Sequence, residues 1–179
     1  MPTQPWESGD EVNGSRGKSA ATRTSASERT SLLVLGWLAA FLAVLHLADH
    51  ALRGERVRSH GLSPNWDHSG WPFKSDVTPY TFSLIAAGLL LGIGPWGTYR
   101  GKLRAGYWLG TAVALGALVT FVHFIPTAHQ ESANVMYRSW IGLDAVGIAA
   151  FVNTFAIVAV LLLMAANAIR VGVRTGRWW

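Results

Sequence analysis

The sequence predicts an all-α fold: a four-helix transmembrane bundle with a disordered N-terminal tail and one structured loop at its outer end. Three observations predict it. Half of the 179 residues are hydrophobic and only 14% are charged, a balance too apolar for an ordinary soluble domain. Four apolar runs lie at about 32–52, 79–96, 106–125 and 147–169. Each reaches the roughly 18–23 residues that cross a hydrocarbon core of about 30 Å. The stretches 88–92 and 153–164 show no regular polar stripe, whereas helices of a soluble bundle are polar along one face.

Taken in order, residues 1–31 are small and polar, with too little apolar mass to fold, and read as a tail. A cleaved signal peptide is not expected, because the following run exceeds the usual apolar core of such a leader. The first helix is expected after Thr30 and Ser31, which suit an N-cap. It passes Trp37, at the entry interface, and ends near His46, Asp49 and His50. Spacings of three and four put these three side chains on one helical face. Arg53, Arg56 and Arg58 then mark the exit into water.

The loop over 53–78 is long for a helix connection. It holds Trp66 and Trp71 beside His60, Asp67 and His68. Tryptophans near a membrane exit settle among headgroups, so the loop is expected to lie across the helix ends. Thr78 and Pro79 supply a cap and a first-turn proline for the second helix; Gly94, Pro95 and Trp96 are expected to stop it. Gly88 and Gly92 stand at the spacing that lets another helix approach closely, as do Gly106 and Gly110 in the third. The third helix ends over His123, Phe124 and Ile125, ahead of Pro126. After a loop with His129 and Arg138, Asp144 precedes the last helix. That helix carries Asn153 and Thr154 within its apolar run, and residues 174–179 form a short tail.

Charge sets the expected orientation. The N-terminal tail, the middle connection (Arg100, Lys102, Arg104) and the C-terminal segment (Arg170, Arg174, Arg177) are basic. They hold ten of the fifteen Lys and Arg residues. The positive-inside rule therefore predicts a cell-membrane protein with both termini cytoplasmic. All six histidines then fall on or near the outer side. The same reasoning assigns the net charge of +5 to topology and anionic headgroups, not to nucleic acid. The chain has no cysteine, which excludes disulfides, thiolate catalysis and Cys-ligated zinc or iron–sulfur centres.

Chemistry, if there is any, concentrates where the imidazoles do. His50 lies 18 residues beyond Leu32 and His123 lies 17 beyond Gly106, so both sit about 26 Å from the inner face. Three readings follow. His46, Asp49 and His50 can form an interhelical hydrogen-bond network with Asn153, Asp144 or the outer loop. Alternatively His46, Asp49, His50 and His123 hold a transition metal, since histidines four apart can share one ion. In the third reading His50 and His123 are axial ligands of a non-covalent haem, or one of them holds a related pigment. A proton relay through Asp49 and Asp144 would make the chain a small proton-coupled transporter. The zinc-protease pattern fails, because position 47 is Leu. No nucleophile triad, phosphate-binding glycine loop or paired-carboxylate site is present, and no enzyme is expected. The expected function is a non-enzymatic accessory or structural subunit. Its partners are the lipid bilayer and other membrane-protein subunits or a second copy.

Overall fold

In the computed structural model of the chain, the residues described are 26–49, 79–124 and 144–179. They form four helices and no strand: α1 (Ala26–Asp49), α2 (Pro79–Tyr99), α3 (Ala105–His123) and α4 (Asp144–Thr175). By length and composition α1, α3 and residues Ile148–Thr175 of α4 can each cross a membrane, and α2 adds the shorter apolar stretch Ser83–Tyr99. The outer loop and most of the N-terminal tail lie outside the described residues.

The core is a seam of small and branched side chains. Ala112 and Leu115 of α3 pack with Ile157, Leu161, Met164 and Ala168 of α4, while Leu32 and Ala39 close the seam from α1. Large apolar side chains also face outward on every helix: Phe41, Leu89, Phe121 and Leu162 are each more than half exposed. In water such a surface would be a large apolar patch. Around a membrane bundle it is the face that contacts lipid.

The start of α1, the α2–α3 connection and the end of α4 gather at one end. Asn167 donates to the Ser31 hydroxyl at 3.0 Å, and Arg174 approaches the buried Glu28 carboxylate at 3.6 Å. Trp108 of α3 is fully buried there, its indole N–H donating to the Thr98 hydroxyl at 2.8 Å. Its ring fills the space beside Gly36 of α1 and Gly94 of α2; a Cβ at Gly94 would fall 2.7 Å from that ring.

Several boundaries differ from the sequence expectation, among them those of α4, which runs over Asp144–Thr175 and not 147–169. Residues 26–31 are helical rather than part of the tail: Thr30 and Ser31 do not cap, but turn their hydroxyls back to the carbonyls of Ala26 and Glu28. Burial of Glu28 between α1 and α4 anchors this extra turn. Pro95 also does not end α2, which runs through it to Tyr99. A proline inside a helix frees the carbonyl four residues back and strains the neighbouring turn. Here the Tyr107 hydroxyl donates to the adjacent Leu90 carbonyl at 2.6 Å, and the Thr98–Trp108 bond holds the turn beyond. The helix stops at Gly101, whose φ of 71° suits glycine. There Gly101 and Lys102 donate to the carbonyls of Thr98 and Gly97, a Schellman ending.

The small residues of α3 have separate roles. Gly106 donates its N–H to the Trp178 carbonyl at 2.7 Å, which satisfies an orphan amide of the helix start, and a Cβ there would meet that carbonyl at 2.5 Å. At Gly110 an added Cβ would meet no other helix within 4 Å among the described residues.

Candidate functional site

The opposite end of the bundle carries the imidazoles. His46 lies one turn before the end of α1 and is half-buried; His123 is the last residue of α3 and is buried. Their rings meet edge to face, with centroids 5.3 Å apart and planes at 85°. Asp49, three residues after His46 and so on the same side of α1, is the last residue of that helix. Nearby, Phe124 contacts Phe155 at 5.4 Å, and Phe155 contacts Phe151 at 4.9 Å.

Beneath the two imidazoles runs a cavity of about 110 Å³, bounded by all four helices. Its walls are apolar, chiefly Ala39, Ala43, Ala87, Leu91, Leu115 and Ile157. Its polar lining consists of His46, Ser83 and His123, all toward the end of the bundle away from Trp108. The space is bounded by small residues Ala39 and Ala43 of α1 and Ser83 and Ala87 of α2, with larger leucine, valine and isoleucine side chains from α3 and α4 across it.

Asn153 does join α4 to α1, but through the backbone: its Nδ2 donates to the Leu42 carbonyl at 3.2 Å, one turn before His46. Its Oδ1 is buried without a hydrogen-bond partner among the described residues. His50, His60, His68 and His129 lie outside the described residues, and Asp144 is placed only as the first residue of α4. Of the four residues named for a metal, the structure thus brings His46 and His123 into ring contact and sets Asp49 one turn away. Among the described residues no group of three or more His, Cys, Asp or Glu is arranged to hold a metal ion.

The cavity and Ser83 were not visible to sequence reasoning. The available signal was the small-residue line Ala39, Ala43 and His46, at helical spacing, opposite Val119 and His123.

No family model, curated protein or solved structure matches the chain. Its class therefore rests on the fold and composition: a helical membrane protein whose bundle contacts the lipid bilayer, with a histidine pair capping an internal apolar cavity.

Proposed function

We propose that the chain is a small non-enzymatic accessory subunit of the cell membrane, with both termini cytoplasmic, that packs against another membrane protein or a second copy of itself. One observation carries the reading. At Gly88 and Gly92 an added Cβ would find nothing within 4 Å, and the neighbouring Ile85, Leu89 and Ile93 are exposed. The inner half of α2 is used up on Trp108, so this outer stretch offers a backbone surface that a partner helix can approach closely. The clustering of Arg29, Arg100, Lys102, Arg104, Arg170 and Arg174 at the opposite end from the histidines supports the orientation.

The test exploits the empty space. Gly88→Ala and Gly92→Ala add a methyl that meets no other helix among the described residues, so the monomer fold is expected to persist while a co-purifying partner or second copy is lost. A lone monomer recovered from native membranes in mild detergent, unchanged by either substitution, overturns the proposal.

The His46–His123 contact favours a second reading, a transition-metal site. Imidazoles sharing a tetrahedral ion at about 2.0–2.1 Å per bond stand with centroids roughly 5 Å apart, close to the 5.3 Å seen. This reading needs His50, Asp49 after a rotamer change, or solvent to complete the ligand set. The small cavity favours an ion over a haem or pigment held by His50 and His123, since pockets for such ligands start near roughly 300 Å³. Elemental analysis and a visible spectrum of the purified protein decide it; a colourless, metal-free sample that takes up neither zinc nor copper removes it.

A further inference from the structure

We infer that the α2–α3 turn, with Trp96, Arg100, Lys102 and Arg104, is a headgroup site for an anionic phospholipid. The inference stands apart from the packing of α2 against a partner and from the histidine end. It holds for whichever leaflet the basic end of the bundle meets.

Residues 79–124, which contain α2, the turn and α3, include no Asp or Glu. Arg100, Lys102 and Arg104 nevertheless crowd into the turn, and all three are exposed. The acidic side chains elsewhere among the described residues do not neutralise them. Asp49 closes α1 and Asp144 opens α4, both at the histidine end, and Glu28 is buried against Arg174. Like charges without a carboxylate to pair with draw their counter-ions from the surroundings, and at a membrane surface those are anionic lipids.

The turn holds the cations in a fixed order. The Arg100 amide donates to the Trp96 carbonyl at 3.0 Å, and the Lys102 and Leu103 amides both donate to the Gly97 carbonyl, at 2.9 and 3.2 Å. Leu103 is half-buried and packs beside Gly97, while its neighbours Lys102 and Arg104 stay outside. A backbone fixed in this way has little ordering entropy left to lose when an anion binds.

Trp96 sets the depth. It is 57% exposed, and tryptophans at a membrane interface sit at headgroup level. The Arg100 guanidinium carbon lies 4.6 Å from the centre of the Trp96 ring. A guanidinium stacked by its face keeps its N–H donors at its edge, in the plane where a phosphate is met by two bonds at once. Ile93, one turn before Trp96, is exposed and apolar. An amphiphile matches this order, with its acyl chain along Ile93 and its phosphate at Arg100. A soluble anion would leave the isoleucine and the tryptophan unused.

Charge then selects the lipid. Phosphatidylcholine carries a phosphate but also a quaternary ammonium, which would stand among three like charges. A head of net negative charge brings no such group. The start of α3 is not itself the site, since the Gly106 amide is already given to the Trp178 carbonyl.

The experiment uses the full chain in vesicles of equal phosphatidylcholine and phosphatidylglycerol. One lipid or the other carries a photoreactive diazirine near its glycerol, and mass spectrometry reads the labelled residues. Phosphatidylglycerol should label the turn around Trp96 and Leu103 at least about fivefold more than phosphatidylcholine does, the factor that a single cation contributes at an anionic surface. Phe121 and Ile148, exposed at the other end of the bundle, should label equally with both. Arg100→Gln, Lys102→Gln and Arg104→Gln together should abolish the preference. Arg29→Gln with Arg170→Gln removes two exposed cations from the same end and should leave it intact.

Equal labelling of the turn by both lipids in the parent protein overturns the site, whether or not any variant folds. A preference that survives loss of all three turn cations overturns it as well. So does one that falls as far on loss of Arg29 and Arg170, because a diffuse field then replaces a site. Excess glycerol 3-phosphate should not compete; competition would identify a free-phosphate site and overturn the lipid reading.

Discussion

Trp108 and Thr98 meet where neither reaches solvent: the indole N–H donates to the threonine hydroxyl at 2.8 Å, across the α2–α3 interface. The bond fixes the last turn of α2 beyond Pro95 and places the Trp108 ring between Gly36 and Gly94. One aromatic side chain thereby joins three helices.

Thr98→Val keeps the shape and removes the acceptor. A buried donor left without a partner costs about 1–3 kcal/mol, so unfolding of the purified protein in mixed micelles should shift by that amount. Thr98→Ser should restore most of it. A Val variant as stable as the parent shows that the indole finds another acceptor.

Gly36→Ala and Gly94→Ala should both destabilise, because the new methyl meets the Trp108 ring; overpacking of this kind costs typically about 1–3 kcal/mol. Gly110→Ala is the control. Its methyl enters open space, and alanine is the better helix former by roughly 1 kcal/mol, so this variant should be neutral or slightly more stable.

Asn153→Leu removes one hydrogen bond to the Leu42 carbonyl and also a buried Oδ1. Hydrogen bonds between membrane helices average only about 0.6 kcal/mol, and the two effects oppose each other. The expected change is within about 1 kcal/mol of the parent. A loss above about 2 kcal/mol would mean that the Oδ1 is satisfied from the outer loop.

For the imidazole pair a double-mutant cycle is the direct measurement. His46→Ala, His123→Ala and the double variant should give a coupling energy of about 0.5–1.5 kcal/mol without metal, as edge-to-face rings do. Zero coupling would show that the rings do not meet in the membrane. Repeating the cycle with zinc separates a plain ring contact from the metal reading, which predicts a larger value.

The Glu28–Arg174 pair is exposed on one side only: the Arg174 side chain is 62% exposed and that of Glu28 9%. Exposed ion pairs contribute about 0–1 kcal/mol, but removing one partner leaves the buried carboxylate uncompensated. Arg174→Gln is therefore expected to destabilise by more than about 1 kcal/mol in the same assay, and Glu28→Gln with Arg174→Gln to recover most of that loss.

The sequence by itself determined the helices and their class. Continuous apolar runs of membrane length admit few structures other than spanning helices, because backbone groups in lipid must be satisfied within the segment. Composition alone therefore located α1 to α4, with ends up to six residues away. It also grouped His46 with Asp49, since helical periodicity fixes neighbours along one helix. Tertiary structure decided everything that lies between helices. The sequence pairs Gly106 with Gly110, yet Gly106 receives the Trp178 carbonyl and Gly110 faces open space; local spacing does not say which way a face turns. Matched depth singled out His50 opposite His123; His50 lies outside the described residues, and among those described the ring against His123 is His46. Depth is set by counting residues, whereas contact is set by the rotation of one helix about its axis against another. That rotation comes from packing between helices, and no single helix encodes it.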